Sequence, residues 1–320
     1  MSNSPRPNFF VVGAPKCGTT SLDQSLRHHP DIFMPDRKDL PYFGSDLEFT
    51  FTYQYGERRE TLEEYLRFFE TAGEFAQIGE TSCWYLFSQR AAEEIRAFAP
   101  DAKIVIMLRD PVDMMYSQHS QFLSGLNEDI SSFEDALRAE PDRRQAQRIP
   151  RTTHFPRGLQ YRETARYSDQ VERYLDTFGP DRVHVILYDE FRANAAGEVH
   201  RVFSFLGLDR VLQLSSEIAN PNKVVKHPRL HALAMARPTR IEDVYHAVTP
   251  ARFHGRLAAA ARALSLKHEA RPPLSPETRR ALQREFAKDI MRLGTLINRD
   301  LSSWLVDASE MPESSEVLSA

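Results

Sequence analysis

The sequence predicts an α/β fold built on a parallel sheet, and three observations carry that expectation. Short apolar runs of strand length alternate with helical patterns along the chain. The first such run, "NFFVV" (8–12), leads directly into a glycine-bracketed loop and then a helix. No internal repeat is present, and 320 residues lie within reach of one large α/β domain with insertions.

The elements follow in order. Residues 8–12 read as a buried strand, and Leu22 and Leu26 mark the helix after the loop, closed by His28-His29-Pro30. "DIFM" is a second short strand, and "TLEEYLRFFE" opens a helix with a Thr61/Glu64 capping box. "FAQIGE" (75–80) and "KIVIML" (103–108) are strands, separated by a helix over 88–98. Asp110 is an N-cap with Pro111 at the first helical position. Val171, Tyr174, Leu175 and Phe178 share one helix face, and Gly179 ends that helix. "RVHVILYD" (182–189) is another buried strand, followed by a helix carrying Val199, Val202, Phe203 and Leu206. Ser275-Pro276 starts a long helix with Leu282, Phe286, Ile290, Leu293 and Ile297 on one side. A single α/β domain over 1–306 is expected, with a flexible Ser/Glu-rich tail at 307–320.

Composition narrows the classes. At 41% hydrophobic and 27% charged residues the chain has the make-up of a soluble globular protein. No apolar run approaches the roughly 18 residues of a membrane span. The apolar stretch in "MSNSPRPNFFVVGAP" is too short for a signal peptide, so a cytoplasmic protein is expected. Cys17 and Cys83 form neither a disulfide framework nor a zinc-type spacing. The net charge of −4 argues against nucleic acid as a partner. The charge is uneven, however: residues 226–271 carry nine Lys/Arg against three Asp/Glu. Within them "GRLAAAARALSLK" places Leu257, Ala261 and Leu264 at helical spacing, with Arg256, Arg262 and Lys267 interspersed. The segment reads as a basic helical insertion, either a solvated face or a surface that attracts an anionic acceptor or membrane.

The chemistry centres on "VVGAPKCGTTSLDQSL", where Gly13 and Gly18 bracket four residues in the frame of a phosphate loop. A strand turning into a helix aims backbone N–H groups at one point, and the helix dipole adds positive character there. Lys16 adds a full charge, and Thr19, Thr20 and Ser21 add hydroxyls. A P-loop nucleotidase would carry its lysine just after the second glycine, whereas Lys16 precedes Gly18 by two residues. "KIVIML" ends in Leu-Arg-Asp, without an acidic residue placed for Mg²⁺. A cysteine-phosphatase loop would need an Arg about six residues after Cys17, where Asp23 stands, so Cys17 reads as a small neutral filler. Arg109, at the carboxyl end of a buried strand, and Ser117, about two turns into the next helix, can hold a second phosphate.

"GAPKCGTTSL" together with "IVIMLRDPVDMMYSQH" resembles the sulfotransferases that use 3′-phosphoadenosine 5′-phosphosulfate, in particular bacterial members and the domains acting on heparan sulfate. The resemblance covers about residues 8–306 and implies a P-loop-like, three-layer fold: a central parallel sheet flanked by helices, with a helical C-terminal part. It implies that Lys16, Cys17, Gly18, Thr19, Thr20 and Ser21 hold the 5′-phosphosulfate and that Arg109 and Ser117 hold the 3′-phosphate. "HHPDIFMPDRKDLPYF" resembles the family segment bearing the catalytic Glu and places Asp39 there. "IGETSCWYL" resembles a Glu-Lys-[Ser/Thr]-x-x-Tyr segment, matching Glu80, Ser82 and Tyr85. "NKVVKHP" resembles a late loop closing over the nucleotide, through Lys223, Lys226 and His227. The chain departs from the pattern at Thr81, where a Lys is common, at Val224-Val225, where Gly-Arg is usual, and at Asp39 itself.

The implied reaction is in-line sulfuryl transfer to a hydroxyl or amine of a saccharide, lipid or small-molecule acceptor. Lys16 would stabilise charge on the bridging oxygen, and Asp39, or else Glu80, would take the proton. No metal is expected, since His227 and His231 lack a third ligand. Two rivals remain: a kinase-like or NTP-hydrolysing enzyme, and a non-catalytic nucleotide-binding protein.

Overall fold

The apolar runs become the sheet. The structure, a computed structural model, describes residues 5–47, 49, 60–208 and 271–305, and the backbone of 223–225 and 266–268. Strands β1 (Phe9–Gly13), β2 (Ile32–Phe33), β3 (Gln77–Thr81), β4 (Lys103–Leu108) and β5 (Val183–Leu187) form one sheet in the order β2-β3-β1-β4-β5. Every pairing in it is parallel. Parallel strands need cover on both faces, and the central strand shows why its sequence is apolar without alternation: Phe9, Phe10, Val11 and Val12 are all fully buried.

Cover comes from two helical layers. Helix α1 (Thr19–Leu26) and helix α10 (Ala195–Leu206) touch each other and pack on β1, β3 and β5. In between come α2 (Leu62–Arg67), α3 (Ala91–Phe98), α4 (Pro111–Ser124), α5 (Phe133–Arg138), α6 (Glu140–Arg144), α7 (Tyr161–Thr164), α8 (Tyr167–Phe178) and α9 (Tyr188–Ala193). Helix α8 lies on β4 and β5 and carries α3 and the long α11 (Pro276–Ile297) beside it. Leu282, Phe286, Ile290 and Leu293 form the buried seam of α11, set against α8 and α4, as their three- and four-residue spacing predicts. The result is the expected three-layer α/β arrangement with a helical C-terminal part.

The starts of these helices are chemically explicit. Asp110 Oδ1 accepts from the Val112 and Asp113 amides at 2.8 and 3.2 Å, fixing the entry to α4. Thr61 and Glu64 form the reciprocal capping box of α2, and Ser275 Oγ accepts from Thr278 N at 3.0 Å ahead of Pro276.

Several stretches depart from the sequence reading. Helices α5, α6, α7 and α9 were not expected, being four to six residues long and too short for a periodic signal. Part of the late loop is a strand, β6 (Lys223–Val225), pairing antiparallel with β7 (Leu266–His268). Lys267, placed on a helix by its spacing, therefore sits in a strand. Residues 226–265, including Lys226, His227, His231 and most of the basic segment, lie outside the described residues, as does the tail from 306.

Candidate active site

The loops that follow β1, β2, β3 and β4 all open at the carboxyl edge of the sheet, where ligands of open α/β folds bind. The first loop is held from below. Gly13 has φ +145°, and a Cβ there would meet the Cys83 carbonyl oxygen at 2.6 Å, so only glycine lets the β1 and β3 loops approach so closely. Gly18, at φ +92°, starts α1 against the Tyr188 ring, 3.1 Å from where a Cβ would lie. No side chain caps α1, so the amides of its first turn point out of the helix unclaimed by a capping group.

Lys16 sits in the left-handed region at φ +62°. Burial pulls its ammonium down to about 8, and although the Cys83 thiol opposes this, the charges of Arg271 and Arg109 add to the downward shift. A half-buried lysine just ahead of a helix N-terminus, its charge disfavoured by burial and two neighbouring cations, is poised to gain an anionic partner. Cys17 is fully buried, its Sγ 3.3 Å from the Pro15 carbonyl, and burial pushes the thiol up to about 12, which fits a neutral filler.

Arg109 follows β4 directly. Its guanidinium lies 4.8 Å over the Tyr188 ring and 3.6 Å from Asp113 Oδ2. Ser117 is buried about two turns along α4. Strand β6, which holds Lys223, runs alongside α4, so the backbone of the late segment reaches this side of the cleft.

Asp39 follows β2. Its φ of +56° is a conformation that a short polar side chain tolerates, and its amide donates to the Thr81 carbonyl at 2.7 Å. Asp39 Oδ1 accepts from the Cys83 amide at 3.0 Å, while Oδ2 pairs with Lys38 Nζ at 2.6 Å. The carboxylate keeps 27% of its side-chain surface exposed. Burial alone would lower Lys38, but Asp39 outweighs it and holds the ammonium above its ordinary value. The Cys83 amide is held by Asp39 Oδ1, and the charges of Asp39 and Lys16 act on its thiol in opposite senses.

Glu80 is different. It has no exposed surface, accepts from Ser82 Oγ at 2.8 Å and from the Tyr65 hydroxyl, and burial pushes it up to about 7. Tyr85 Oη, beside it, donates to the Leu40 carbonyl at 2.6 Å. The Glu80 cluster thus lies under the turn that carries Asp39 and fastens it, walled off from the cleft.

The sequence reading therefore finds Lys16, Asp39, Arg109 and Ser117 at one edge of the sheet, with Glu80 beneath. It offered a salt bridge from Asp39 to Arg37 or Lys38 as the alternative to a catalytic role, and the structure forms the pair with Lys38 while Arg37 binds Glu60. It missed Tyr188, Tyr116 and Arg271. Only the tertiary structure brings the Tyr188 ring to Arg109 and the Tyr116 ring to Arg271. Among the described residues no group of three His, Cys, Asp or Glu is placed to hold a metal ion. His119 is buried, with Nε2 2.9 Å from the Ile130 carbonyl.

Comparison with known proteins adds an independent line. The sequence model of the sulfotransferase family matches residues 7–211. Mouse carbohydrate sulfotransferase 15 is 26% identical over 249 residues, which cover 63% of this chain and 44% of that protein. Human bifunctional heparan sulfate N-deacetylase/N-sulfotransferase 3 is 29% identical over 210 residues, covering 63% of this chain and 22% of that protein. The chain thus spans less than half the length of these curated relatives. The crystal structure of a sulfotransferase from Alicyclobacillus acidocaldarius superposes with a TM-score of 0.68 at 30% identity, covering 94% of this chain and 99% of that one.

Proposed function

The chain belongs to the sulfotransferase family, and from that membership we propose that it moves the sulfuryl group of 3′-phosphoadenosine 5′-phosphosulfate to a hydroxyl or amine. The observation that carries this reading is the pair of cationic sites at the ends of adjacent strands, Lys16 after β1 and Arg109 after β4, with Asp39 after β2 at the same edge of the sheet. Two separated anions on one nucleotide, a 5′-phosphosulfate and a 3′-phosphate, match two separated cations. The first-turn amides of α1 with Thr19, Thr20 and Ser21 would hold the 5′ end, and Arg109 with Ser117 the 3′ end. Lys223, Lys226 and His227 complete the proposed contacts from the late segment.

In the reaction the acceptor oxygen or nitrogen forms a bond to sulfur as the bond from sulfur to the bridging oxygen breaks, leaving adenosine 3′,5′-bisphosphate. The acceptor's proton passes to Asp39. Lys16 meets the charge that grows on the bridging oxygen, an interaction stronger in the transition state than before it. Lys38 Nζ, 2.6 Å from Asp39 Oδ2, holds the carboxylate in position for the acceptor. Glu80 holds the Asp39 turn in place from below. The two relatives named for carbohydrate and heparan sulfate support a saccharide acceptor. Residues 1–306 are proposed to form one domain, in keeping with the 94% coverage by the bacterial structure. No described helix is long and apolar enough to cross a membrane. Cytoplasmic residence stays a proposal.

A binding panel tests the donor. Adenosine 3′,5′-bisphosphate should raise the unfolding temperature without Mg²⁺ and well beyond AMP, while ATP with Mg²⁺ should not exceed it. Arg109→Ala should erase most of the preference for the bisphosphate, since a charge-assisted phosphate contact is worth about 1.5–3 kcal/mol. Equal shifts with AMP and the bisphosphate in the wild type would refute the reading, and a shift that needs ATP and Mg²⁺ would point to a nucleotidase.

A further inference from the structure

Strand β2 is two residues long, and its pairing with β3 ends at Phe33 opposite Ile78, while β3 runs on to Thr81. The chain returns to β3 at Asp39, whose amide donates to the Thr81 carbonyl. Residues 34–38 therefore leave the sheet, and the carbonyls of Met34 and Pro35, both buried residues, need partners elsewhere. One side chain meets both. Arg27, the C-cap of α1, donates from Nη1 to the Met34 carbonyl at 3.0 Å and from Nη2 to the Pro35 carbonyl at 2.5 Å. Its Nε donates to Asp23 Oδ2, one turn back on α1, at 2.8 Å.

A single rigid fork thus ties two consecutive carbonyls to the helix whose first turn is offered to the donor. The carboxylate that aims the fork is itself 3% exposed, and its Oδ1 has no hydrogen-bond partner among the described residues. Such an ion pair is a poor source of stability, because desolvation offsets most of the attraction. What it supplies is geometry. The middle of the segment is held separately, by Arg37 on Glu60 at 3.2 Å, and its end by the Cys83 amide on Asp39 Oδ1 at 3.0 Å. Arg27 fastens its entry to α1.

We propose that Asp23 and Arg27 are positioning residues for the reaction: they hold the segment that carries Asp39 against the helix that binds the donor, and so fix where the base stands relative to the sulfuryl group. This rests on the reading of Asp39 as the base. Both residues act through the backbone of 34–39 and not on the reacting atoms.

The test is a double-mutant cycle between R27M and D39N, with R27K and D23N beside it. Turnover is read as release of adenosine 3′,5′-bisphosphate from 3′-phosphoadenosine 5′-phosphosulfate, with desulfated heparin oligosaccharides as acceptor and both substrates saturating. R27M should lower kcat roughly tenfold to hundredfold, since a misplacement of about 1 Å at a reacting group costs about that much. Its calorimetric affinity for the bisphosphate should stay within about twofold of wild type, a margin well below the kcat loss. In the D39N background the same substitution should change kcat by less than about threefold, because the group it positions no longer accepts a proton. R27K should recover part of the loss, its ammonium reaching one of the two carbonyls, and D23N should reproduce part of it. With no acceptor present, hydrogen exchange should speed up at the Asp39 and Cys83 amides of R27M and not along α1. A full further loss in D39N, a bisphosphate affinity that falls in step with kcat, an unchanged kcat, or wild-type exchange at Asp39 and Cys83 would each overturn the proposal. A fully active D39N would remove Asp39 as the base, and this assignment with it, while the donor reading stands. Should R27M not fold, R27K and D23N carry the cycle.

Discussion

Lys16 shows how a single residue records the ligand it is built for. It is held down to about 8 by burial first and then by Arg271 and Arg109, so the free protein sheds this proton near pH 8. A bound phosphate favours the charged form and raises the value again. Below pH 8 the lysine is already charged and binding needs no proton. Above it, each binding event takes one up, so bisphosphate affinity should fall as pH rises through about 8 to 9. Calorimetry in two buffers of different ionisation enthalpy at about pH 9 should therefore show proton uptake, and Lys16→Met should abolish it. Uptake that persists in Lys16→Met would locate the titration elsewhere. For Asp39, the Asn variant keeps shape and should keep bisphosphate affinity while turnover drops by about 10²–10⁴-fold. Full activity in Asp39→Asn with an inactive Glu80→Gln would move the base to Glu80. At this scale the sequence was informative where a motif fixed the spacing, as around Lys16 and Arg109. It was silent on Arg271, one of nine positive charges in its segment and followed by Pro272-Pro273, until Tyr116 and Pro272 were seen to anchor it.

Among the elements, the cap of α4 and strand β3 each carry a buried carboxyl whose charge state affects folding. Asp110, which caps α4, is pushed up from 3.8 to about 6 by burial first and then by Asp113, against the pull of Arg279 3.7 Å away. Glu80, on β3, is pushed up from 4.5 to about 7 by burial. In both cases the native state holds the proton more tightly than the unfolded chain. The stabilising contribution is whole below the unfolded values and is lost as pH rises through about 6 for Asp110 and about 7 for Glu80. Urea midpoints should therefore fall from about pH 4 to about pH 7.5, and Asp110→Asn combined with Glu80→Gln should flatten that slope. Asn retains the cap, so Asp110→Asn should leave α4 intact at low pH. A steeper slope in the double variant would mean that other groups dominate. The cap of α4 and the seam of α11 were readable from spacing alone, because each is a local pattern. The β6–β7 ribbon was not, since three-residue strands forty residues apart leave no local trace, and its pairing depends on contacts that only the folded chain makes.

For the molecule as a whole, charge is distributed against the average. The chain is −4 overall, yet residues 226–271 hold nine basic against three acidic side chains. Strand β6 immediately precedes this segment and β7 lies near its end, and their pairing, with β6 beside α4, brings both ends of the basic stretch to the helix that follows Arg109. A cationic segment anchored at the cleft would draw an anionic acceptor, such as a sulfated or carboxylated saccharide, toward the site. It would do little for the donor, whose phosphates are proposed to meet Lys16 and Arg109. The field of such a segment reaches about 8 Å at physiological ionic strength, so the benefit is a property of low salt. Replacing Arg252, Arg256 and Arg262 together with Gln should raise the KM for an anionic acceptor several-fold, leave that for a neutral acceptor and the bisphosphate affinity unchanged, and lose its effect as salt approaches about 1 M, where the screening length is about 3 Å. An anionic-acceptor KM that is indifferent to both the triple substitution and salt would reduce the basic stretch to a solvated surface. A change in bisphosphate affinity instead would mean that the segment belongs to the nucleotide site.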